Sequence, residues 1–308
     1  MSSFANLKRN TGNIEKLTKA LEQMNSTSGG SDSNDDNFWK CETDKAGNGY
    51  AVIRFLPAPA VDGDDGLPWA KVYTHGFQGP GGWYIENSLT TLNEKDPVSE
   101  YNSELWNSGI EANKEVARKQ KRRLTYISNV LIIEDPKHPE NNGTVKLFKY
   151  GKKIFDKITE AMNPAFEDEK PINPFDLWSG ASFKLKIRKV EGYQNYDKSE
   201  FEGASALYDG DDDKLEKLWQ SEHSLKEFLA PKHFKSYDEL KVRLHRVLAT
   251  NPVSATASQV APTVKQTTIE SVKVSPVAST AVDIDKPWAD DDDENMIMDH
   301  FAALAEED

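Results

Sequence analysis

Ser182–Val190 reads SFKLKIRKV. Phe183, Leu185 and Ile187 alternate with Lys184, Lys186 and Arg188. Successive side chains on a strand point to opposite faces, so this segment is a strand with one apolar face and one row of three cations. Directly after it, GYQNYDKSEF (Gly192–Phe201) supplies Tyr193 and Tyr196.

Similar strand patterns recur upstream: FWKCET from Phe38, YAVIRFLP from Tyr50, WAKVYTHGF from Trp69, WYIEN from Trp83, LTYISNVLIIE from Leu124 and TVKLFKY from Thr144. The turn signals AGNG, DGDDG and GPGG punctuate them. Helical patterns are predicted over Ile154–Met162, Asp213–Leu229 and Tyr237–Leu248. Short antiparallel strands with helical insertions predict a β-rich α+β domain over residues 38–250, built as a small barrel.

Both flanks of that domain differ in character. Ile14, Leu17, Leu21 and Met24 recur at helical spacing, predicting a short amphipathic helix within residues 1–24, after the basic LKRNT. Residues 25–37 are a Gly/Ser/Asp linker. Residues 251–308 open with a Pro/Ala/Ser/Thr/Val stretch and close with an acidic tail, expected to be disordered. Of the formal charge of −13, twelve acids against three lysines put −9 in that tail and leave −4 on the remainder. A nearly balanced domain can carry a positive groove on one face. The single cysteine, Cys41, excludes an internal disulfide and any multi-cysteine zinc site. With no apolar signal core and no long apolar run, neither secretion nor membrane spanning is expected.

Three segments mix cations with aromatics. Five of the six residues Arg118–Arg123 are basic, and Tyr126 follows. VKLFKYGKK (Val145–Lys153) repeats the theme, and Ser182–Phe201 is the third instance. Cations neutralise phosphates while aromatic rings stack on any base, the combination a sequence-tolerant single-strand binder requires. Taken singly, each is equally a solvated face, a protected sheet edge or half-buried packing. Two other classes stay open: a single-stranded RNA-binding regulator using the same groove, and an acidic interaction scaffold. Enzymatic signatures are absent: there is no G-x-x-x-x-G-K-[ST], G-x-S-x-G or H-E-x-x-H. DGDDG at Asp62 and DGDDD at Asp209 lack the closing Glu of a calcium loop, since Tyr73 and Gln220 stand there. Both read as solvated turns.

AGNGYAVIRFLP, HGF followed by GGWYIE, KRRLTYISNVLIIEDPKHPENNG, YGKKIFDKI and GASFKLKIRKVEGYQNYDKSEF stand here in one order. In these strings the chain resembles the replicative, helix-destabilising single-stranded DNA-binding proteins of T-even-type tailed bacteriophages. The resemblance implies an OB-fold-like barrel whose groove takes a DNA strand, with cooperative, largely sequence-independent binding during phage replication, recombination and repair. It implies no catalysis, and action in the cytoplasm of the infected bacterial host. Lys121, Arg122 and Arg123 would contact phosphates, Tyr126 would line the groove, and Tyr193 and Tyr196 would meet bases. Lys184, Lys186 and Arg188 join the expected DNA-binding set. Phe148 stands where the family has a base-contacting tyrosine, Trp106 replaces another, and Val116 falls where a further groove aromatic is usual.

The resemblance also carries an expectation about metal. The family's small unit, here residues 75–107, binds zinc through one His and three Cys; His75 keeps its place, but Ser88, Asp96 and Ser99 stand at the thiolate positions. Serine hydroxyls are poor zinc ligands, so no structural zinc and no other cofactor is expected. Packing through Trp83, Tyr84, Leu89, Leu92 and Tyr101 would hold the unit instead. Lys8, Arg9 and Thr11 match the family's cooperativity arm, which implies self-association along DNA. The acidic tail would compete with DNA for the groove, and Trp288, Phe301 and Leu304 would dock phage replication and recombination proteins.

Overall fold

The computed structural model describes residues 4–9, 37–166 and 168–250. The expected helix at Asn13–Met24, the linker, Thr11, and the tail with Trp288, Phe301 and Leu304 lie outside the described residues.

Strands β1 (Phe38–Trp39), β2 (Gly49–Phe55), β3 (Ala70–Gly79), β4 (Gly82–Asn87), β5 (Arg123–Glu134), β6 (Val145–Tyr150), β7 (Phe183–Val190), β8 (Tyr193–Asn195) and β9 (Glu200–Phe201) make up the sheet. Hydrogen bonding runs β1–β6–β5–β2–β7–β8, with β3 on β5, β4 on β3 and β9 on β7. The long β5 organises the rest. Its first half pairs with β3 (Thr74 opposite Arg123, Ala70 opposite Ile127), and its second half with β2 (Phe55 opposite Val130). Its other edge carries β6, with Tyr126 opposite Tyr150 and Ser128 opposite Phe148. A register shift between Val52 and Ile53 bends the β2–β5 ladder.

Helices α1 (Phe4–Arg9), α2 (Pro97–Asn107), α3 (Glu111–Lys119), α4 (Lys152–Met162), α5 (Asp212–Gln220) and α6 (Tyr237–Val247) surround this sheet. On α4, Ile154, Phe155, Ile158 and Met162 lie on one helical face and close the main core. That core takes Ala51, Ile53 and Phe55 from β2, Val130 and Ile132 from β5, and Phe183, Leu185 and Ile187 from β7. The opposite parity of β5 packs elsewhere: Leu131 joins Leu56, Leu215, Leu218 and Trp219, and Ile127 joins Ala70, Val72, Leu225 and Phe228. Burial from Tyr126 to Ile132 is therefore unbroken, as the continuous apolar run of the sequence requires. The product is a mixed α+β fold with a sheet-rich core. Among the described residues no helix is long and apolar enough to cross a membrane.

Three expectations need correcting. The basic run is not one segment: Arg118 and Lys119 end α3, Gln120–Arg122 turn, and Arg123 opens β5. Asp213–Leu229 is not one helix. After Gln220 the chain unwinds so that His223 can exchange two backbone hydrogen bonds with buried Asn129, donating N–H to Oδ1 at 3.0 Å and accepting from Nδ2 at 2.8 Å. Asp62 is buried rather than solvated, accepting the backbone N–H groups of Leu225 (2.8 Å) and Lys226 (3.1 Å).

Ile158, fully buried on α4, ties the helix to the sheet. Ile158→Ala is expected to cost about 2–5 kcal/mol, measured by denaturant unfolding.

Candidate nucleic-acid interface

Residues paired across antiparallel strands share a face. Lys71 lies opposite Tyr126 and Tyr73 opposite Leu124, so all four occupy the concave side that leads into the main core. At the outer end of this row, where β5 begins, the Arg122 guanidinium lies 4.1 Å from the Tyr73 ring centroid. The Lys71 ammonium lies 5.3 Å from the same ring. Two cations within about 6 Å of one ring are held by its quadrupole. Arg123 turns inward and donates from Nη2 to the Gly76 carbonyl at 3.0 Å. Lys121, Arg122 and Tyr73 are half-buried, so each presents part of its surface. Tyr73 was overlooked in the sequence because YTHGF was read for its histidine. The alternation Lys71-Val72-Tyr73 was the signal.

Two expected base-contacting rings are core residues. Tyr126 is 5% exposed, stacked on Phe155 at 3.8 Å and on Tyr150 at 5.8 Å. Phe148 is equally buried, against Trp39 and Tyr150, each at 5.4 Å. Both sit on the inward parity of β5 and β6, where rings pack on rings and no face is left for a base.

The β7 cations lie on the other side of the sheet from Leu185 and Ile187. Val52 is opposite Lys184, and Tyr50, itself exposed, is opposite Lys186. Each cation is engaged: Lys184 with Glu202 at 2.8 Å, Lys186 with Glu200 at 2.6 Å, and Arg188 with Asp197. The Lys186 hydrogen bond and charge hold the Glu200 carboxyl below its usual range, and Arg188 does the same to Asp197. Tyr193 pairs with Val190 and so shares this face, whereas Tyr196 packs against the main core and donates to Gln194 Oε1 at 3.0 Å. The expected single groove thus separates into two surfaces. Arg122, Tyr73 and Tyr196 belong to the concave side; Lys184, Lys186, Arg188 and Tyr193 belong to the outer side. Trp106, on α2, lies beneath Arg118 (5.3 Å) and Lys114 (5.7 Å) of α3. Val116 is exposed on α3. Lys8 of α1 pairs with Asp212, while Arg9 closes that helix.

The small unit brings His75, Ser88, Asp96 and Ser99 together, with the first three buried. His75 Nε2 is 2.9 Å from Asp96 Oδ1 and 3.1 Å from Ser88 Oγ. Asp96 also caps α2, accepting from the N–H groups of Val98 (3.1 Å) and Ser99 (2.9 Å). Its Oδ2 accepts from Leu89 N–H at 3.1 Å. Burial alone would raise the Asp96 pKa, but His75 and the N–H groups of Ser99 and Leu89 bring it down to about 2. Tyr84 and Leu89 are buried beside this cluster and Tyr101 packs on it, as expected, but Leu240, Leu244 and Val247 of α6 complete the packing.

Comparison with known proteins agrees with this arrangement. The family model described as gp32 DNA binding protein like matches residues 47–248. The single-stranded DNA-binding protein of Enterobacteria phage T2 is 37% identical over 252 residues, covering 80% of this chain and 81% of its own. That of Enterobacteria phage T4 gives the same identity and coverage. The single-stranded DNA-binding protein of Escherichia phage SV14 is 41% identical over 88 residues, 28% of this chain and 75% of its own.

The donors at the small unit do not fit a tetrahedral zinc site. One imidazole, one carboxylate and two hydroxyls replace the thiolates, and both Asp96 oxygens are already taken by the protein. Asp96 instead joins β3, the Leu89 turn and α2. Asp96→Ala, which strips a buried pair of one partner, is expected to cost about 3–5 kcal/mol, read from the unfolding midpoint.

Proposed function

From the premise that the chain belongs to the gp32-like family of DNA-binding proteins, we propose how it holds single-stranded DNA. The strand enters over the open end of β3 and β5. Phosphates are neutralised by Lys121, Arg122 and Lys71, and bases stack on Tyr73 and Tyr196. The observation that carries this reading is the Tyr73 ring flanked by Arg122 and Lys71 at the mouth of the concave face. The curved sheet is read as an OB-type barrel, because both halves of β5 bend around one aromatic core.

The outer face of β7 extends the path. Exposed ion pairs contribute only about 0–1 kcal/mol, so phosphates replace Glu202, Glu200 and Asp197 on Lys184, Lys186 and Arg188 at little cost. Tyr193 and Trp106 offer further rings. Tyr126 and Phe148 act indirectly, by shaping the floor beneath Leu124 and Tyr73. Binding is the whole task; the protein performs no reaction. The small unit works without zinc, held by His75, Asp96 and Ser88.

In this reading residues 38–250 are the binding core. Residues 1–24, with Lys8, Arg9 and Thr11, join neighbouring protomers, and residues 25–37 connect arm to core. Residues 251–308 carry Trp288, Phe301 and Leu304 to replication and recombination proteins and compete with DNA for the basic surface. The site of action is the cytoplasm of the infected bacterium.

Titration with oligothymidylate across a salt series tests the interface. Each lost phosphate contact lowers the log–log salt slope by about 0.7 for a single strand. Arg122→Ala is expected to do so, and Tyr73→Ala to weaken binding by about 1–3 kcal/mol without changing the slope. Glu200→Gln combined with Glu202→Gln is expected to tighten binding and steepen the slope. Unchanged affinity in all three variants would refute the assignment. Chelation with EDTA is expected to leave affinity and unfolding midpoint unchanged.

A further inference from the structure

The six residues of α1 are too few to hold a helix alone. They are held by a seat on the core. The Phe4 ring lies 5.5 Å from Trp178 and 5.8 Å from Trp219, and Leu7 packs on the same cluster. Lys8 pairs with Asp212 and lies 5.7 Å from the Trp178 ring. The seat is fixed by bonds that do not involve its occupant. Trp219 Nε1 donates to the Ala58 carbonyl at 2.8 Å, and Trp178 Nε1 donates to Asp212 Oδ1 at 3.0 Å. Asp211 caps α5 by accepting from Lys214 N–H, fixing Asp212 in the first turn.

Two further facts bear on what fills it. Leu131 belongs to this cluster while its neighbours Val130 and Ile132 belong to the main core, so the seat lies on the sheet face away from Tyr73, Leu124 and Tyr196. DNA on the concave side leaves it clear. Between Arg9 and Phe38 stand 28 residues. At about 3.3–3.6 Å each their contour reaches roughly 90–100 Å, whereas a core of this size is about 40–45 Å across.

We propose that the Trp178–Trp219–Asp212 seat receives α1 from a second copy of this chain when protomers lie side by side on one strand. This deepens, and rests on, the reading of the protein as a single-strand binder. The contacts are the same whether α1 is its own or a neighbour's, so the choice is set by proximity. A shared strand raises the effective concentration of the neighbour's arm. Plug and socket are different surfaces of one molecule, so the contact is heterologous and propagates as an open row rather than closing as a dimer. Free in dilute solution, each protomer keeps its own helix.

Charge reversal tests this, since Lys8 and Asp212 are each about half exposed, at 50% and 47%, and neither is needed for folding. The full chain, Lys8→Asp, Asp212→Lys, an equimolar mixture of the two, and the double variant are titrated with a short oligothymidylate holding one protomer and a long one holding many. Short-oligonucleotide affinity is expected to be unchanged in all. Each single variant is expected to lose about fivefold or more of the gain from length; the mixture and the double variant regain it, because the reversed charges match across copies. Retention of the full gain by both single variants, or rescue by the double variant but not the mixture, would overturn the exchange. If the unaltered protein fails to bind the short oligonucleotide, the DNA reading falls separately. Sedimentation of the concentrated proteins then decides the seat, with self-association following the same order among the variants or, if equal in all of them, overturning it.

Discussion

Phe55 is completely buried, with the rings of Phe148, Tyr150, Phe175, Phe183 and Phe201 all within 6.5 Å of its centroid. Rings so placed bind through dispersion and edge-to-face electrostatics, and they exclude water from the sheet's concave side. Tyr126 and Phe155 extend the cluster, stacked at 3.8 Å. The opposite parity of β5 is covered as well, by α5 and by the Leu225–Phe228 turn. A sheet packed on both faces offers no broad platform for a polynucleotide. The surface for phosphates and bases must be assembled where strands end and cover stops: at the start of β5, beside Tyr73, and along the outer edge of β7. That constraint explains why aromatic content alone does not locate the interface.

Much of the architecture was legible before the coordinates. Alternation in Phe183–Ile187 foretold an apolar inner row and a cationic outer row, and both exist. The spacing of Ile154, Ile158 and Met162 foretold α4. What failed had physical causes. α2 and α3 are dominated by charged and polar side chains, so they carry too weak an apolar period to announce themselves. Helix and strand meet inside one basic run, and composition cannot show that junction. Tyr126 and Phe148 lie in the same cation-rich segments as the exposed rings, and only cross-strand register tells which way each faces.

Electrostatics follow the same division. Formal charge is −13, yet the cations relevant to a polyanion are pre-arranged locally, Arg122 by a ring and the β7 row by exchangeable carboxylates. Lys149, though part of a cation-aromatic segment, behaves differently: it lies 4.1 Å from the Phe38 ring, and burial brings its pKa down to about 8. It belongs to packing around β1 rather than to a phosphate. Buried polar groups in the small unit serve fold rather than ligand. Asp96 collects His75 and three backbone N–H groups, doing by hydrogen bonding what thiolates and a metal would otherwise do by coordination.

Photocrosslinking to oligothymidylate, with the adducted residues mapped by mass spectrometry, separates the rings that touch DNA from those that only support the fold. The account predicts adducts on Tyr73 and Tyr196, with none on Tyr126 or Phe148. Adducts on Tyr126 or Phe148, with Tyr73 and Tyr196 unmodified, would place the strand inside what is described here as core and contradict it.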